Sequence, residues 1–270
     1  MKALLSLFAV LPLSGLLRLP PAPATPAPKY AVADSPAADV ILLPARFLGD
    51  AGVAPAGALR AEVQQGLAQL ARERHCYIVG GSLLSEAGRH ELTWLFDRVG
   101  ALVHTHSSPL DRGQAHDAAL FPVIETDVGR IGILNGDDIW VLESTRILSL
   151  KGAEVVFVPA RLSSRNADSK IASLWGLATL NCVALAFASA AHADALHHAS
   201  VILPSGVLAA SEQVDGAPLL AEIAPGQMGK LRDADLTFAN TLWFGLWSRR
   251  KQLYGPLLET RTPPPERAHA

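Results

Sequence analysis

The sequence predicts an α/β fold in a single domain. A chain of 270 residues, half of them hydrophobic, is long enough to bury a full core. Between Gly129 and Pro159 a short apolar run, a polar corner, a helical segment and a second apolar run follow one another. This order is typical of a strand, elbow, helix and strand. Residues 58–74 add an amphipathic helix that directly precedes a further apolar run, and helices alternating with strands indicate the α/β class.

The amino terminus has two interpretations. The apolar run from Ala3 to Leu17, interrupted by Pro12 and Gly15, is interpreted as a first core strand. The same run, followed by the small residues at 22–24, also has the form of a cleaved signal peptide. If the run is a strand, we expect a cytoplasmic protein. If residues 1–24 are instead a signal peptide, we expect an exported protein.

Further elements follow in order along the first half of the chain. Residues 58–74 carry apolar side chains at helical spacing and are rich in strong helix formers. The patterns predict strands at 39–44 and 76–79, the second ending at Gly80-Gly81, and a hairpin of residues 92–96 and 101–103 turned through 97–100.

The second half begins with the elbow unit. Its strand covers 131–134, its polar corner 135–138, and its helix places Leu142, Ile147 and Leu150 on or near one face. Lys151-Gly152 ends that helix. After it we predict a strand at 155–158, a polar loop at 159–170, a helix at 171–179 and a strand at 182–188.

Composition excludes several classes of function. The 23 basic and 25 acidic residues nearly balance, so the sequence has no electrostatic footprint for nucleic acid. Cys76 and Cys182 each lie in an apolar run, which argues against a disulfide framework or a thiolate metal site. No other run approaches the roughly 18 apolar residues of a membrane span. We predict no cofactor.

The elbow unit resembles the nucleophile region of the nitrilase, or carbon-nitrogen hydrolase, superfamily. Members carry Gly-Lys-Ile-Gly, an apolar pair, Cys-Tyr-Asp, a Phe-Pro-Glu step, an arginine three residues on, Gly-Ala, and a strand that ends in proline. The matching residues of this chain are Gly129-Arg-Ile-Gly132, Asp138, Glu143, Arg146, Gly152-Ala153 and Pro159. The resemblance extends over about residues 3–15 and 38–255, and it implies a four-layer α-β-β-α sandwich. It also implies a hairpin around 200–206 and a last core strand at 219–223.

The resemblance also implies where catalytic residues should lie, and the chain departs from the family at each position. The family's glutamate, lysine and cysteine fall on Ala45, Ser108 and Gly136. Nitrilase chemistry needs a thiolate nucleophile, a base for its proton, and a cation for the developing oxyanion. A methyl group, a neutral hydroxyl and a hydrogen atom cannot supply them. The leading hypothesis is a catalytically inactive member, a pseudoenzyme, that binds a small amide or carboxylate ligand or a partner protein.

Two other hypotheses stay open: a carbon-nitrogen hydrolase with altered catalytic residues, and an exported small-molecule binding protein. The candidate cleft residues are His106, Asp137, Asp138, Glu143 and Arg146. His104 and His106 alternate on one strand, so their rings share a face. With Ser108, Asp111, His116, Asp137 and Asp138 they form a nitrogen and oxygen set that a metal could use. Surface histidines and an elbow-capping aspartate are commoner explanations, so no metal site is predicted.

The remaining matched residues are interpreted as structural. Asp138 lies beside a helix start, where an acidic side chain favours exposed amides. Glu143 and Arg146 have the spacing of a helix-surface pair.

The resemblance further implies a homodimer formed through helix faces, or a hetero-oligomer with a related subunit. The tail containing Trp243, Trp247 and Tyr254 looks like the arm that nitrilases lay across a neighbouring subunit. We expect one domain over 1–255, with a first-helix region at 16–38 altered by its prolines, and a flexible tail at 256–270.

Overall fold

The computed structural model describes residues 6–10, 38–45, 47, 57–84, 91–108, 121–160, 165–189, 199–211 and 219–223, with the single positions 226, 228 and 252. Several predictions concern residues outside these ranges. They include the first-helix region up to residue 37, Asp111 and His116, and the tail with Trp243, Trp247 and Tyr254.

The described strands form two six-stranded sheets. The first sheet has the order β12-β1-β2-β3-β4-β5, with β1 Ser6–Val10, β2 Val40–Leu42, β3 Tyr77–Leu84, β4 Glu91–Phe96, β5 Leu102–Ser107 and β12 Leu219–Ile223. The second has the order β11-β10-β9-β8-β7-β6, with β6 Ile124–Thr126, β7 Gly129–Ile133, β8 Val155–Ala160, β9 Ala184–Ser189, β10 Ala199–Leu203 and β11 Gly206–Ser211.

The two sheets pack face to face, because residues of both sheets form one shared core. The strands also bury their opposite faces. In β2, Val40 and Leu42 join the core between the sheets, while Ile41 and the following residue Leu43, just beyond the strand, join a separate core on the outer face. In β8, Val155 and Phe157 point between the sheets and the alternate residues point outward. Successive strand side chains point to opposite faces, so continuous apolar runs are what a sheet covered on both sides requires.

Helices cover the two outer faces. Helix α1, Gly57–Arg74, places Val63, Leu67 and Leu70 against the first sheet. Helices α2, Leu142–Leu150, and α3, Ala167–Asn181, cover the second sheet through Leu148, Leu174 and other apolar residues. The four-layer α-β-β-α arrangement is therefore confirmed.

The structure corrects the face predicted for α2. Leu142 and Leu150 are exposed, and Ile147 is only partly buried. The buried face instead consists of Ser144, Thr145, Leu148 and Ser149. These four positions share a side of a helix with 3.6 residues per turn, and the Ser149 hydroxyl is satisfied by donating to the Asn181 carbonyl of α3.

Several element boundaries also differ from prediction. Strand β3 continues through Gly80-Gly81, with an irregular register between Val79 and Ser82, because Gly81 takes a φ of +59° that glycine adopts without steric cost. Helix α3 begins at Ala167 rather than 171. Cys182 caps α3 in the left-handed region instead of starting β9. Strand β8 continues two residues beyond 158, and β5 four residues beyond 103.

The amino-terminal strand is confirmed. Ser6–Val10 pairs parallel with β2 and antiparallel with β12. None of the helices in the described ranges is both long and apolar enough to cross a membrane.

Candidate functional site

The elbow after β7 is where the structure gathers buried polar side chains. A short 3-10 helix, Gly136–Trp140, begins here, with Asn135 as its cap. The end of β5 lies against it and contributes His106 and Ser108, both buried. Thr93 on β4 approaches from the same sheet as β5. The site is thus built where the two sheets face each other at the end of β7.

Asp138 is the centre of this network, and only 3% of its surface is exposed. Its Oδ1 accepts a short hydrogen bond from the Ser108 hydroxyl. Its Oδ2 accepts one from the Asn135 backbone amide at 3.1 Å. His106 Nε2 lies 3.5 Å from the same Oδ2. Asp138 therefore caps the 3-10 helix and also contacts both polar residues at the end of β5.

Asn135 ties the elbow to the opposite sheet. Its side-chain oxygen accepts a 2.6 Å hydrogen bond from the Thr93 hydroxyl. Its amide nitrogen donates to the Glu91 carbonyl at 2.8 Å. Both partners lie on β4, so one buried side chain joins the end of β7 to the facing strand. We call the contacts of Asn135 with Thr93 and Glu91 the elbow tie.

Gly136, which the resemblance aligns with the cysteine of nitrilases, has a φ of +26°. This is a region that side chains rarely adopt and glycine enters at little cost. Apart from its two chain neighbours, the described residue nearest to a Cβ built on Gly136 would be Glu91, whose Oε2 would lie 4.0 Å away. The elbow therefore presents bare backbone next to a carboxylate.

Ala45 and Ser108, which the resemblance aligns with the glutamate and the lysine of nitrilases, lie at strand ends. Ala45 is buried just beyond β2, with 2% of its surface exposed. Ser108 follows β5 and contacts Asp138, two residues beyond Gly136. The structure thus brings Ser108 to the elbow.

His104 and His106 lie on the same side of β5, with ring centroids 6.2 Å apart. The pKa of His104 is lowered, first by burial and then by the charge of His106. Among the described residues, neither Nε2 atom has a hydrogen-bond partner. The His106 side chain is 1% exposed and faces Asp138.

The other predicted cleft residues lie outside the buried network. Asp137 and Glu143 are exposed, and Arg146 is half-buried in the second turn of α2. Across the residues that the structure describes, no group of three or more His, Cys, Asp or Glu side chains is arranged to hold a metal ion.

Both cysteines lie at strand starts, away from the elbow. Cys76 precedes β3 and Cys182 precedes β9, whereas Asn135 follows the end of β7. Strands β7, β8 and β9 run parallel, so Cys182 lies at the edge of the sheet opposite the elbow. Burial raises the pKa of the Cys76 thiol to about 11. Neither thiol therefore lies at the elbow.

Sequence reasoning missed three residues of this site: Glu91, Thr93 and Asn135. Thr93 is a single polar residue within the predicted strand 92–96, Glu91 directly precedes that strand, and neither belongs to a motif. Asn135 was assigned only to a polar corner. An asparagine directly before a helix start is a common cap, and this signal could have identified Asn135.

The arrangement provides a general acid or base and a hydroxyl, but no thiolate. Asp138 accepts a hydrogen bond from the Ser108 hydroxyl and lies 3.5 Å from the His106 imidazole. In a Ser-His-Asp triad the imidazole stands between the hydroxyl and the carboxylate. Here the carboxylate occupies the middle position.

Residues 24–232 match the model of a family described as carbon-nitrogen hydrolase. No curated protein sequence matches the chain.

Solved structures with the same architecture include three from different organisms. A carbon-nitrogen hydrolase from Helicobacter pylori G27 has 17% sequence identity and a TM-score of 0.70, over 95% of this chain and 99% of that chain. A double mutant of the amidase from Nesterenkonia sp. AN1, in complex with acrylamide, has 19% identity and a TM-score of 0.68, over 96% and 99%. Saccharomyces cerevisiae Nit3, of branch 10 of the nitrilase superfamily, has 18% identity and a TM-score of 0.59, over 74% and 82%. At these identities the likeness shows the fold.

Proposed function

Because this chain belongs to the carbon-nitrogen hydrolase family, we propose that it is a member without thiolate-based hydrolysis, which acts by binding a small ligand or a partner protein. The observation that carries the proposal is the elbow itself. Gly136 presents no side chain, and the adjacent Ser108 donates its hydroxyl to Asp138. The proposal rests on what these residues can do chemically.

The missing groups act as one unit in the family's reaction. A thiolate attacks the carbonyl or nitrile carbon, a carboxylate takes the thiol proton, and an ammonium stabilises the oxyanion. Removing one member of such a unit typically costs several orders of magnitude in rate. Ala45, Ser108 and Gly136 replace all three, while Cys76 is held in its thiol form by burial.

The test is an ammonia-release assay with simple amides, nitriles and N-carbamoyl compounds. We expect no turnover by the purified protein under conditions in which an active amidase gives a clear signal. A Gly136→Ala variant should give the same baseline. Turnover by the wild-type protein that persists through repeated purification would overturn the proposal.

A second candidate, a hydrolase with altered catalytic residues, is favoured by one observation. Asp138 contacts both the Ser108 hydroxyl and His106 inside a buried site, and buried titratable groups in contact are candidates for acid and base roles. For this candidate, turnover in the same assay should disappear in both Ser108→Ala and His106→Ala. Turnover that survives both changes would exclude it.

The cellular location belongs to the same proposal. We place the protein in the cytoplasm, with export as the alternative if residues 1–24 are a signal peptide. The mass of the mature amino terminus in cells distinguishes the two, since cleavage after residue 24 would remove strand β1, Ser6–Val10.

A further inference from the structure

We propose that helix α2, Leu142–Leu150, is a movable element. It detaches from the second sheet and returns as a unit, turning about Val141 and Gly152, while the elbow before it stays folded. This inference goes beyond the proposed function and does not depend on whether the elbow is catalytic. It concerns how a partner on the outer helix face acts on the rest of the protein.

The first step concerns the residues that α2 buries. Three of the four are polar: the buried residues are Ser144, Thr145, Leu148 and Ser149. Leu148 lies against Gly132 of β7, where an added Cβ would be 2.9 Å from the leucine side chain. Ile147 adds a partly buried contact. Burial of apolar surface is the dominant favourable term in folding, so this face holds the helix weakly.

The second step compares α2 with the other two α-helices of the described ranges. These bury mainly apolar residues: Val63, Leu67, Leu70 and Ala71 on α1, and Leu174, Leu177 and Ala178 on α3. Helix α2 has nine residues, whereas α3 has 15. A helix of nine residues is marginal in water by itself and depends on the packing of its buried face. We therefore expect α2 to open more readily than α3.

The third step concerns two buried hydroxyl groups. Ser144 Oγ and Thr145 Oγ1 have no hydrogen-bond partner within the described part of the chain. In contrast, the Ser149 hydroxyl donates to the Asn181 carbonyl of α3. A buried hydroxyl without a partner is costly, because it has lost its hydrogen bonds to water. When α2 moves away from the sheet, both hydroxyls regain water, which favours the open position.

The fourth step concerns the two ends of α2. Val141 is extended, with φ −89° and ψ 108°, and its side chain gives the helix no cap. Gly152 has a φ of +100°, which glycine adopts freely. The elbow is held more firmly, since Asp138 accepts hydrogen bonds from the Ser108 hydroxyl and the Asn135 amide. The turning points therefore lie at the two ends of α2.

Movement of α2 would connect the outer helix face to the elbow. Leu142 and Leu150 of α2 are exposed, so a partner on this face contacts the movable helix directly. The Val141 amide, just before α2, donates to the Asp138 carbonyl at 3.2 Å. A partner that binds one position of α2 more tightly shifts the helix towards that position. Such a shift would reach Asp138 through Val141.

Hydrogen exchange in the full chain, followed by NMR, tests whether α2 opens alone. We expect the hydrogen-bonded amides of α2 to exchange at least about tenfold faster than those of α3, through an opening that low urea concentrations leave unchanged. The amides of Asn135 and Asp138 should stay protected. Equal rates in the two helices, or an elbow that exchanges together with α2, would overturn the inference.

Thr145→Val tests the cause, because it removes a hydroxyl without a partner and keeps the shape and about the same helix propensity. We expect α2 to exchange about fivefold more slowly in this variant. Ser149→Ala removes a hydroxyl that has a partner and should make α2 exchange faster. The matched control is Thr105→Val, at an exposed position on β5, which should leave α2 unchanged. Unchanged or faster exchange in Thr145→Val would overturn the inference.

Discussion

At the scale of one residue, burial lowers the reactivity of the Cys76 thiol. Burial raises the pKa of its thiol to about 11, against lowering contributions from Arg98 and Arg74. Only the thiolate is nucleophilic. A thiol with this pKa has about a hundredfold less thiolate at neutral pH than one with the ordinary value of 9.0.

We therefore predict that Cys76 resists modification in the folded protein. In a Cys182→Ala variant, where Cys76 is the remaining thiol, a thiol reagent at pH 8 should react at least about a hundredfold more slowly in buffer than in urea. The measurement is the rate of thiol modification. Equal rates in the two conditions would show that Cys76 is accessible and ionised.

His104 gives a prediction for stability against pH. Burial and the neighbouring His106 lower the pKa of His104 in the folded state. As the pH falls below about 6.5, the unfolded chain takes up this proton first. The contribution of His104 to stability is thus complete above that pH and is lost as the pH falls towards the folded-state pKa.

We expect His104→Gln to lose less stability than wild type between pH 7.5 and pH 5.5, as measured by urea unfolding. Thr105→Gln, at an exposed position on the other side of β5, is the control and should keep the wild-type loss. An identical loss in His104→Gln would show that other groups cause the pH dependence.

At the scale of elements, Arg98 joins both sheets at the end opposite the elbow. It lies in the β4–β5 turn and donates to Asp39, just before β2, at 2.6 Å. It also donates to Asp127, in the β6–β7 turn, at 3.0 Å, and to the His75 carbonyl at 2.6 Å. Its guanidinium lies over the Tyr77 ring. An arginine can serve several acceptors through its planar set of donors.

Replacing Arg98 with methionine should lower the free energy of unfolding by about 1–2 kcal/mol, since the side chain is partly exposed and solvent screens its ion pairs. Urea unfolding at pH 7.5 measures the change. Arg165→Met, at an exposed position before α3, should change stability by less than about 0.5 kcal/mol. If the two substitutions changed the free energy of unfolding equally, Arg98 would not stabilise the contact between the sheets.

The elbow tie also connects the two sheets. Asn135→Ala would leave the buried Thr93 hydroxyl and the Glu91 carbonyl without this partner, and we predict a loss of about 2–3 kcal/mol. Thr93→Val removes one of the two bonds and should cost less. In a double-mutant cycle the two losses should not add, because the residues share a hydrogen bond. Full additivity would contradict the tie.

The elements also show what the sequence could predict. Apolar runs at strand length placed most strands correctly, because buried strands need them. The prediction of the buried face of α2 was wrong because Ser144, Thr145 and Ser149 are buried polar residues. The spacing of apolar residues does not reveal such positions. Ser108 and Gly136 were located through the family resemblance. Glu91 and Thr93 became visible only when folding brought β4 to the elbow, since such contacts join residues more than 40 positions apart.

At the scale of the whole molecule, assembly is the open proposal. We propose a homodimer, or a hetero-oligomer with a related subunit, formed through helix faces. In support, Leu142 on α2 and Trp175 and Leu180 on α3 are 65%, 47% and 53% exposed. Large aromatic and apolar side chains on a surface are typical anchors of interfaces.

Light scattering of the purified chain should give the mass of a dimer, about twice 28.5 kDa. Leu180→Glu should shift it to a monomer, because a charge at the core of an apolar interface is costly. Val99→Glu, on an exposed turn of the first sheet, should leave the mass unchanged. A monomeric wild type would favour the hetero-oligomer, and a dimer unaffected by Leu180→Glu would exclude this helix face.

The positions of Arg98 and Asn135 have a mechanical consequence. One connection lies before β2 and β7, and the other lies after β7, so the two layers of strands are fastened at both ends. If one sheet slid over the other, the contacts of Arg98 and those of Asn135 would have to break together. Binding of a ligand at the elbow is therefore expected to leave the strands in place. Any structural change that the ligand causes is expected in the helices and connecting segments.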